Sequence, residues 1–246
     1  MIIGIDMGHT LKGVGTGAVG IKSETDLNRP LGNKVIEILR QLGHTIVNCT
    51  VDEGVDSLSQ IVGNANKQYL DLFVSLHFNC GGGHGVEVLV YDDKSIAAIN
   101  YAQKILNEIV KLGYRNRGIK YRPDLYVLNA TSAQAILVEC AFIDSIEDMD
   151  RYDVDKMAQA IVLGLVGKLP ETNNKKYFVR TGDFLATNGL EINNLRSKYF
   201  YDIERLYVNP KDQYVYFETQ YLSKEKCNEI VNRLGKDNLY ASIVEI

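Results

Sequence analysis

Four residues in the first 140 could work on one reaction. The apolar runs Met1–Met7 and Leu70–Phe78 predict strands, and His9 and His77 fall at their C-terminal ends. In open α/β sheets ligands bind at that edge, and two imidazoles delivered there from different strands can share one metal ion. Glu24 opens a predicted helix and would complete a His2Glu set. Such a set leaves zinc an open position for water, which is the catalytic rather than the structural arrangement. Glu139 interrupts the apolar run Ile136–Phe142, where an unpaired charge is costly and a nearby metal would give it a reason. The residues alone leave other readings open. Each histidine could be a satisfied loop residue, Glu24 a first-turn acid favoured by the helix dipole, and Glu139 the partner of an arginine such as Arg122.

The elements that must position these groups alternate. After the strand Met1–Met7, Leu27, Leu31, Val35, Ile38 and Leu42 recur at three- and four-residue spacing and predict a helix over Glu24–Leu42. Strands are predicted over Thr45–Val51, Leu70–Phe78, Val86–Tyr91, Leu125–Leu128 and Ala135–Phe142. Helices are predicted over Ser57–Tyr69, Ser95–Leu112 and Val154–Leu169. This pattern predicts an α/β domain over residues 1–170, with a mostly parallel twisted sheet and helices on both faces. Pro170 opens a polar stretch read as a linker over residues 171–176. Beyond it, strands over Tyr177–Phe184, Ile203–Val208, Tyr214–Gln220 and Tyr240–Val244, with helices over Leu190–Tyr199 and Lys224–Leu234, predict a small α+β domain of βαββαβ order over residues 177–246. Asn209-Pro210-Lys211-Asp212 reads as its hairpin turn.

Composition narrows the classes of function. The chain has 246 residues, 46% hydrophobic and 24% charged, with a net charge of −4, which suits a folded globular protein and argues against a nucleic-acid binder. No apolar run reaches the length of a membrane span. The N-terminus lacks a basic n-region and its apolar stretch is broken by Asp6 and Gly8, so a secretory signal is not expected and synthesis in the cytoplasm is. Cys49, Cys80, Cys140 and Cys227 are scattered, which predicts neither a disulfide framework nor a Cys-rich zinc knuckle. Cys140 lies in apolar surroundings that keep a thiol inert, and by alternation it should face away from Glu139. The last 76 residues hold 12 of the 22 Phe and Tyr side chains and are charge-balanced. Those rings could form a core, and some could stack on sugars.

The segments Gly4-Ile5-Asp6-Met7-Gly8-His9, Glu24 with Asn28, Leu72 through Asn79, Gly85-Val86-Glu87, Leu125-Tyr126-Val127-Leu128 and Ile136-Leu137-Val138-Glu139 occur in this order. Together they resemble the zinc-dependent N-acetylmuramoyl-L-alanine amidases of bacterial autolysins and phage endolysins, over about residues 1–169. The resemblance implies one Zn2+ held by His9, Glu24 and His77, with Glu139 as the catalytic acid. It implies peptidoglycan and Gram-positive cell-wall glycan as partners, and a C-terminal cell-wall-binding domain like those of clostridial endolysins. An endolysin would act on the wall after release from the host cytoplasm, without inserting in a membrane. Two departures bear on substrate contacts: Thr10-Leu11-Lys12 replaces the usual glycines after Gly8-His9, and an arginine often present is missing from Gln60–Asn66. Two residues are candidates for substrate binding. Asn79, two positions past His77, could hold a ligand or a substrate carbonyl, or could simply form the turn before Cys80. Arg122, in the basic stretch Arg115–Arg122 read as a loop, could grip a peptide-stem carboxylate. The alternatives are a zinc peptidase cutting elsewhere in the stem, or a wall-binding protein that does not cut.

Overall fold

The computed structural model describes residues 1–170, 176–185 and 191–246. The chain divides into two compact units, Met1–Glu171 and Thr172–Ile246. Most of the predicted linker lies outside the described residues.

The first unit runs β1 (Ile2–Met7), β2 (Lys12–Gly13), α1 (Glu24–Gln41), β3 (Thr45–Asn48), β4 (Glu53–Gly54), α2 (Ser57–Asn66), β5 (Leu72–Asn79), β6 (Val86–Val90), α3 (Ile96–Val110), β7 (Asn116–Tyr121), α4 (Tyr126–Asn129), β8 (Ala135–Phe142), α5 (Ile146–Arg151) and α6 (Val154–Val166). Six strands form one sheet in the order β3-β1-β5-β8-β6-β7, and β2 pairs with β4 apart from it. Within the large sheet β6 runs antiparallel to β8, and the other neighbours are parallel. The sheet is therefore mixed.

Alternation sorts the strands' side chains between two cores. Ile3, Ile5, Leu72, Leu76 and Val138 pack with α1, α3 and α6 on one face, while Phe73, Leu89 and Leu137 meet the shorter α2 and α4 on the other. The same alternation puts Asp6, Ser75, His77, Glu87 and Glu139 on the second face, where only short helices cover the sheet. Cys140 is buried in the first core, turned away from Glu139 as expected.

Two local expectations are corrected. Residues 125–128 do not form a strand: Leu125 caps the short helix α4, whose Val127 and Leu128 plug the second core. Their apolar run carries no period, so strand and helix look alike in sequence. Conversely, the basic segment 115–122 contains β7, an edge strand whose exposed face tolerates Arg117 and Lys120.

The second unit runs β9 (Tyr177–Thr181), β10 (Phe184–Leu185), α7 (Ile192–Tyr199), β11 (Leu206–Lys211), β12 (Tyr214–Thr219), α8 (Lys224–Gly235) and β13 (Ala241–Glu245). Its sheet is ordered β10-β12-β9-β13, with β11 also paired to β12. The hairpin turn falls two residues later than predicted. Asn209, Pro210 and Lys211 pair with β12, and Asp212, at φ 55°, makes the turn with Gln213. Pro210 is tolerated because β11 is an edge strand.

Helices α3 and α6 meet closely at Gly164, where an added Cβ would lie 2.5 Å from Ile105 Cα. Gly164→Ala should force them apart and cost roughly 1–3 kcal/mol, read as a lower urea midpoint at unchanged m-value.

Candidate active site

Three backbone segments converge on one point. Met7 pairs with Leu76 across β1 and β5, so His9 and His77 leave neighbouring strands at the same edge. Glu24 is the first residue of α1, and Asn28 and Arg29, one turn on, face the same loop. The Asn28 amide donates to the Gly8 carbonyl at 2.9 Å. The Arg29 guanidinium donates to the carbonyls of Met7, Gly8 and His9, the last at 2.6 Å, and pairs with Asp52. This grip holds His9 at φ 65°, a left-handed conformation uncommon outside glycine. Gly8 is required by close approach, since a Cβ there would fall 2.1 Å from the His77 ring.

His9, Glu24 and His77 bring one ligand atom each to within 4.8 Å of one another. The Glu24 carboxylate is buried between the imidazoles. Oε2 lies 3.1 Å from His9 Nε2, and Oε1 lies 3.0 Å from His77 Nδ1 and accepts from the Phe78 amide at 3.0 Å. The remaining His9 nitrogen, Nδ1, lies 3.1 Å from the Gly15 carbonyl, which orients the ring and leaves Nε2 toward Glu24. Burial alone would raise the Glu24 pKa, but the hydrogen bonds from His77 and His9 hold it well below the usual carboxylate range. Burial would likewise lower the His77 pKa, yet the bond to Glu24 and the nearby charges of Glu139 and Asp6 raise it.

The site has more acid than its histidines can balance. Asp6 is 1% exposed, and its Oδ2 accepts from Ser75 while Oδ1 has no partner. Glu139 pairs in register with His77 on the adjacent strand, and its buried Oε2 also lacks a partner. Burial pushes Glu139 up to about 7, helped by Glu24 and Glu87 and opposed by His77 and His9. A His2Glu donor set amid surplus buried carboxylate fits a divalent cation of the zinc class.

A cleft of about 520 Å3 opens here, floored by Asp6, His9 and His77 and flanked by the exposed apolar side chains of Val14, Val55, Leu58 and Tyr126. The two substrate candidates are engaged by other residues. Asn79 donates to Glu87 at 2.8 Å and accepts from the Cys80 amide. Arg122 is clasped bidentately by Asp124 at 2.7 and 2.8 Å, and Asp124 is among the residues lining the cleft. Sequence reasoning missed Arg29, Asp6 and the Arg117–Glu87 pair at 2.9 Å beside Glu139. Glu87 and Glu139 are opposite in register, a pairing that alternation within each strand does not reveal.

Residues 3–167 match the family described as N-acetylmuramoyl-L-alanine amidase (Amidase_3). The chain belongs to this family. It is 33% identical over 183 residues to the endolysin of Bacillus phage SPP1, covering 71% of this chain and 67% of that one. It is 33% identical to a Clostridium perfringens protein, CPE1502, over 62% of this chain and 47% of that one, so it spans about half of that relative. The catalytic domain of the CD27L endolysin targeting Clostridia Difficile superimposes with a TM-score of 0.63 and 30% identity, over 68% of this chain and 98% of that domain. The matched region of this amidase-family chain contains His9, Glu24, His77 and Glu139.

A carboxyl whose folded pKa is about 7 against an ordinary 4.5 costs stability fully above pH 7 and not at all below about 4.5. Glu139→Gln should therefore raise the stability of chelator-treated protein by roughly 1–3 kcal/mol at pH 8 and change it little at pH 4.5. Thermal melts at the two pH values measure this, and an equal effect at both would refute the assigned burial cost.

Proposed function

We propose that this chain is a zinc-dependent peptidoglycan hydrolase that cuts the amide between N-acetylmuramic acid and L-alanine, in the role of a phage endolysin acting on Gram-positive walls. The observation that carries the reading is the buried Glu24 carboxylate between His9 and His77, with the partnerless Glu139 oxygen on the next strand. His9, Glu24 and His77 would hold the zinc. When bound, zinc supplies Lewis acidity at the scissile carbonyl and eases deprotonation of the attacking water.

The rest of the chemistry falls to the chain. Glu139 accepts the proton of the attacking water and returns it to the leaving amine of L-alanine. A carboxyl near pH 7 in its proton affinity can do both. Burial keeps the proton affinity of Glu139 high, and Glu24 and Glu87 add to it, Glu87 being held beside it by Arg117. The exposed apolar flanks Val14, Val55, Leu58 and Tyr126 offer surface that a bound substrate would cover. Asn79 and Arg122 belong to the same proposal as substrate contacts, and Arg122 would exchange Asp124 for a stem carboxylate.

Residues 177–246 are read here as a wall-binding module of split βαβ type. The strand order β11-β12-β9-β13, with α7 and α8 in the two crossovers, supports that reading. No helix of the described residues is long and apolar enough to cross a membrane. The proposal puts synthesis in the host cytoplasm and action at the wall after release.

Digestion of purified clostridial walls, with mass analysis of soluble products, tests the function. Glycan freed of peptide and stems bearing free N-terminal L-alanine are expected, both abolished by chelation. Stems cut elsewhere would indicate a peptidase, and binding without products a non-catalytic protein. Glu139→Ala is expected to keep one zinc per chain by metal analysis while turnover falls about 100- to 10,000-fold.

A further inference from the structure

The second unit has its own cleft, of about 620 Å3, on the side of its sheet away from α8. Alternation creates the two sides. Tyr177, Val179, Cys227, Ile230 and Leu234 form the buried core between the sheet and α8. Phe178 and Arg180 of β9 and Tyr216 and Glu218 of β12 therefore face the other way. Register then builds a row across four strands: Tyr207 opposite Glu218, Glu218 opposite Arg180, and Arg180 opposite Ser242.

Two kinds of surface meet in this cleft. Phe178, Tyr207 and Tyr221 line it, and Tyr207 and Tyr221 are 50% and 56% exposed. Tyr207 stands on β11 and Tyr221 just past the end of β12, where Phe178 meets its ring edge-on and Lys176 Nζ lies 5.0 Å from its centroid; exposed rings so held offer flat apolar surface at little cost in side-chain entropy. Between them stands a carboxylate with both oxygens already held: Glu218 Oε1 accepts from Arg180 at 2.7 Å and Oε2 from Asn209 at 3.2 Å. Arg180 itself lies over the Phe178 and Tyr216 rings. An oriented carboxylate retains lone pairs for further donors, so it can accept hydroxyl or amide protons without rearranging.

Charge selects among ligands. Glu204 and Glu218 are balanced by Arg205, also in the cleft, and by Arg180, and residues 171–246 carry no net charge. A phosphate-rich polymer would gain nothing from such a surface, and a membrane surface would find no basic excess. What fits is an uncharged molecule with flat C–H faces and hydroxyl or acetamido groups at its edges.

We propose that this cleft binds the sugar rings of the peptidoglycan glycan strand, with Tyr207 and Tyr221 as stacking platforms and Glu218 as the hydroxyl and amide acceptor. This rests on the wall-hydrolase reading and adds to it the site and the class of ligand. Binding would hold the first unit beside its scissile bonds and raise their effective concentration.

The test uses the full chain carrying Glu139→Gln, so that walls stay intact, in pelleting titrations on Gram-positive walls before and after hydrofluoric-acid removal of phosphodiester-linked polymers. Binding is expected on both preparations and equally at about 0.05 and 0.5 M NaCl, as an uncharged ligand requires. Replacing Tyr207 and Tyr221 together by alanine should weaken it about tenfold or more, and replacing both by phenylalanine should restore it at an unchanged melting temperature. Undiminished binding by the double alanine variant would overturn the site. Loss of binding on stripped walls or at high salt would overturn the ligand. If the Glu139→Gln chain fails to pellet while the unsubstituted chain still digests walls, wall binding by this unit fails and the amidase reading stands. If the unsubstituted chain does not digest walls, the amidase reading fails whatever the pelleting shows.

Discussion

A carboxylate buried between two imidazoles constrains the rest of the first unit. Glu24 is 2% exposed, and removing such a charge from water is tolerable only if every approach to it is furnished with a donor or a cation. The two histidines come from β1 and β5, the Phe78 amide from β5, and the carboxylate from the first turn of α1. Each must arrive within a hydrogen bond's length, so the crossing of α1 over the two strands is fixed. Arg29 and Asn28 complete the constraint by holding the loop carbonyls that place His9 in its left-handed conformation. The interaction that would bind a metal is thus the one that locks helix to sheet.

Hold on the backbone separates chemistry from architecture among the buried carboxylates of this unit. Asp148 is wholly buried, but its Oδ2 accepts from the amides of Gly85 and Phe142 and so ties the loop before β6 to the end of β8. Asp144 does the same for Gly81 and Gly82. Each leaves its Oδ1 without a partner but is explained by the backbone its Oδ2 holds. Glu139 holds no backbone: its Oε2 has no donor, and its proton affinity is raised by burial. A fold gains no stability from such a residue, and a proton-transfer step requires one.

Much of this was legible in the sequence, for identifiable reasons. His9 and His77 stand out because strand ends in α/β sheets form the ligand edge, and Glu139 because a charge in an apolar run is conspicuous. The amphipathic helices α1, α3 and α6 announce themselves by period. What was not legible depends on contacts between distant segments. Arg29 reads as an exposed helix residue until the loop at Met7–His9 folds onto it. Asn79 and Arg122 attract attention as polar residues near the site, yet Glu87 and Asp124 occupy them, and neither pairing follows from spacing. Helix α4 reads as a strand in sequence because four apolar residues carry too little period to decide.

The two units answer the same demand for order by opposite means. In the first, the strand face under the short helices α2 and α4 is left open where His77 and Glu139 stand, and charges there are concentrated and incompletely matched. In the second, the open sheet face carries charges matched within it, Arg180 to Glu218 and Lys211 to Asp183, with aromatic rings set among them. A mismatched cluster binds a cation and moves protons, but would repel or trap an extended uncharged polymer. A matched one costs little to desolvate, because each charge keeps its partner when water leaves. Retaining a polymer and cutting it would place incompatible demands on one surface, and separate units would meet them without compromise.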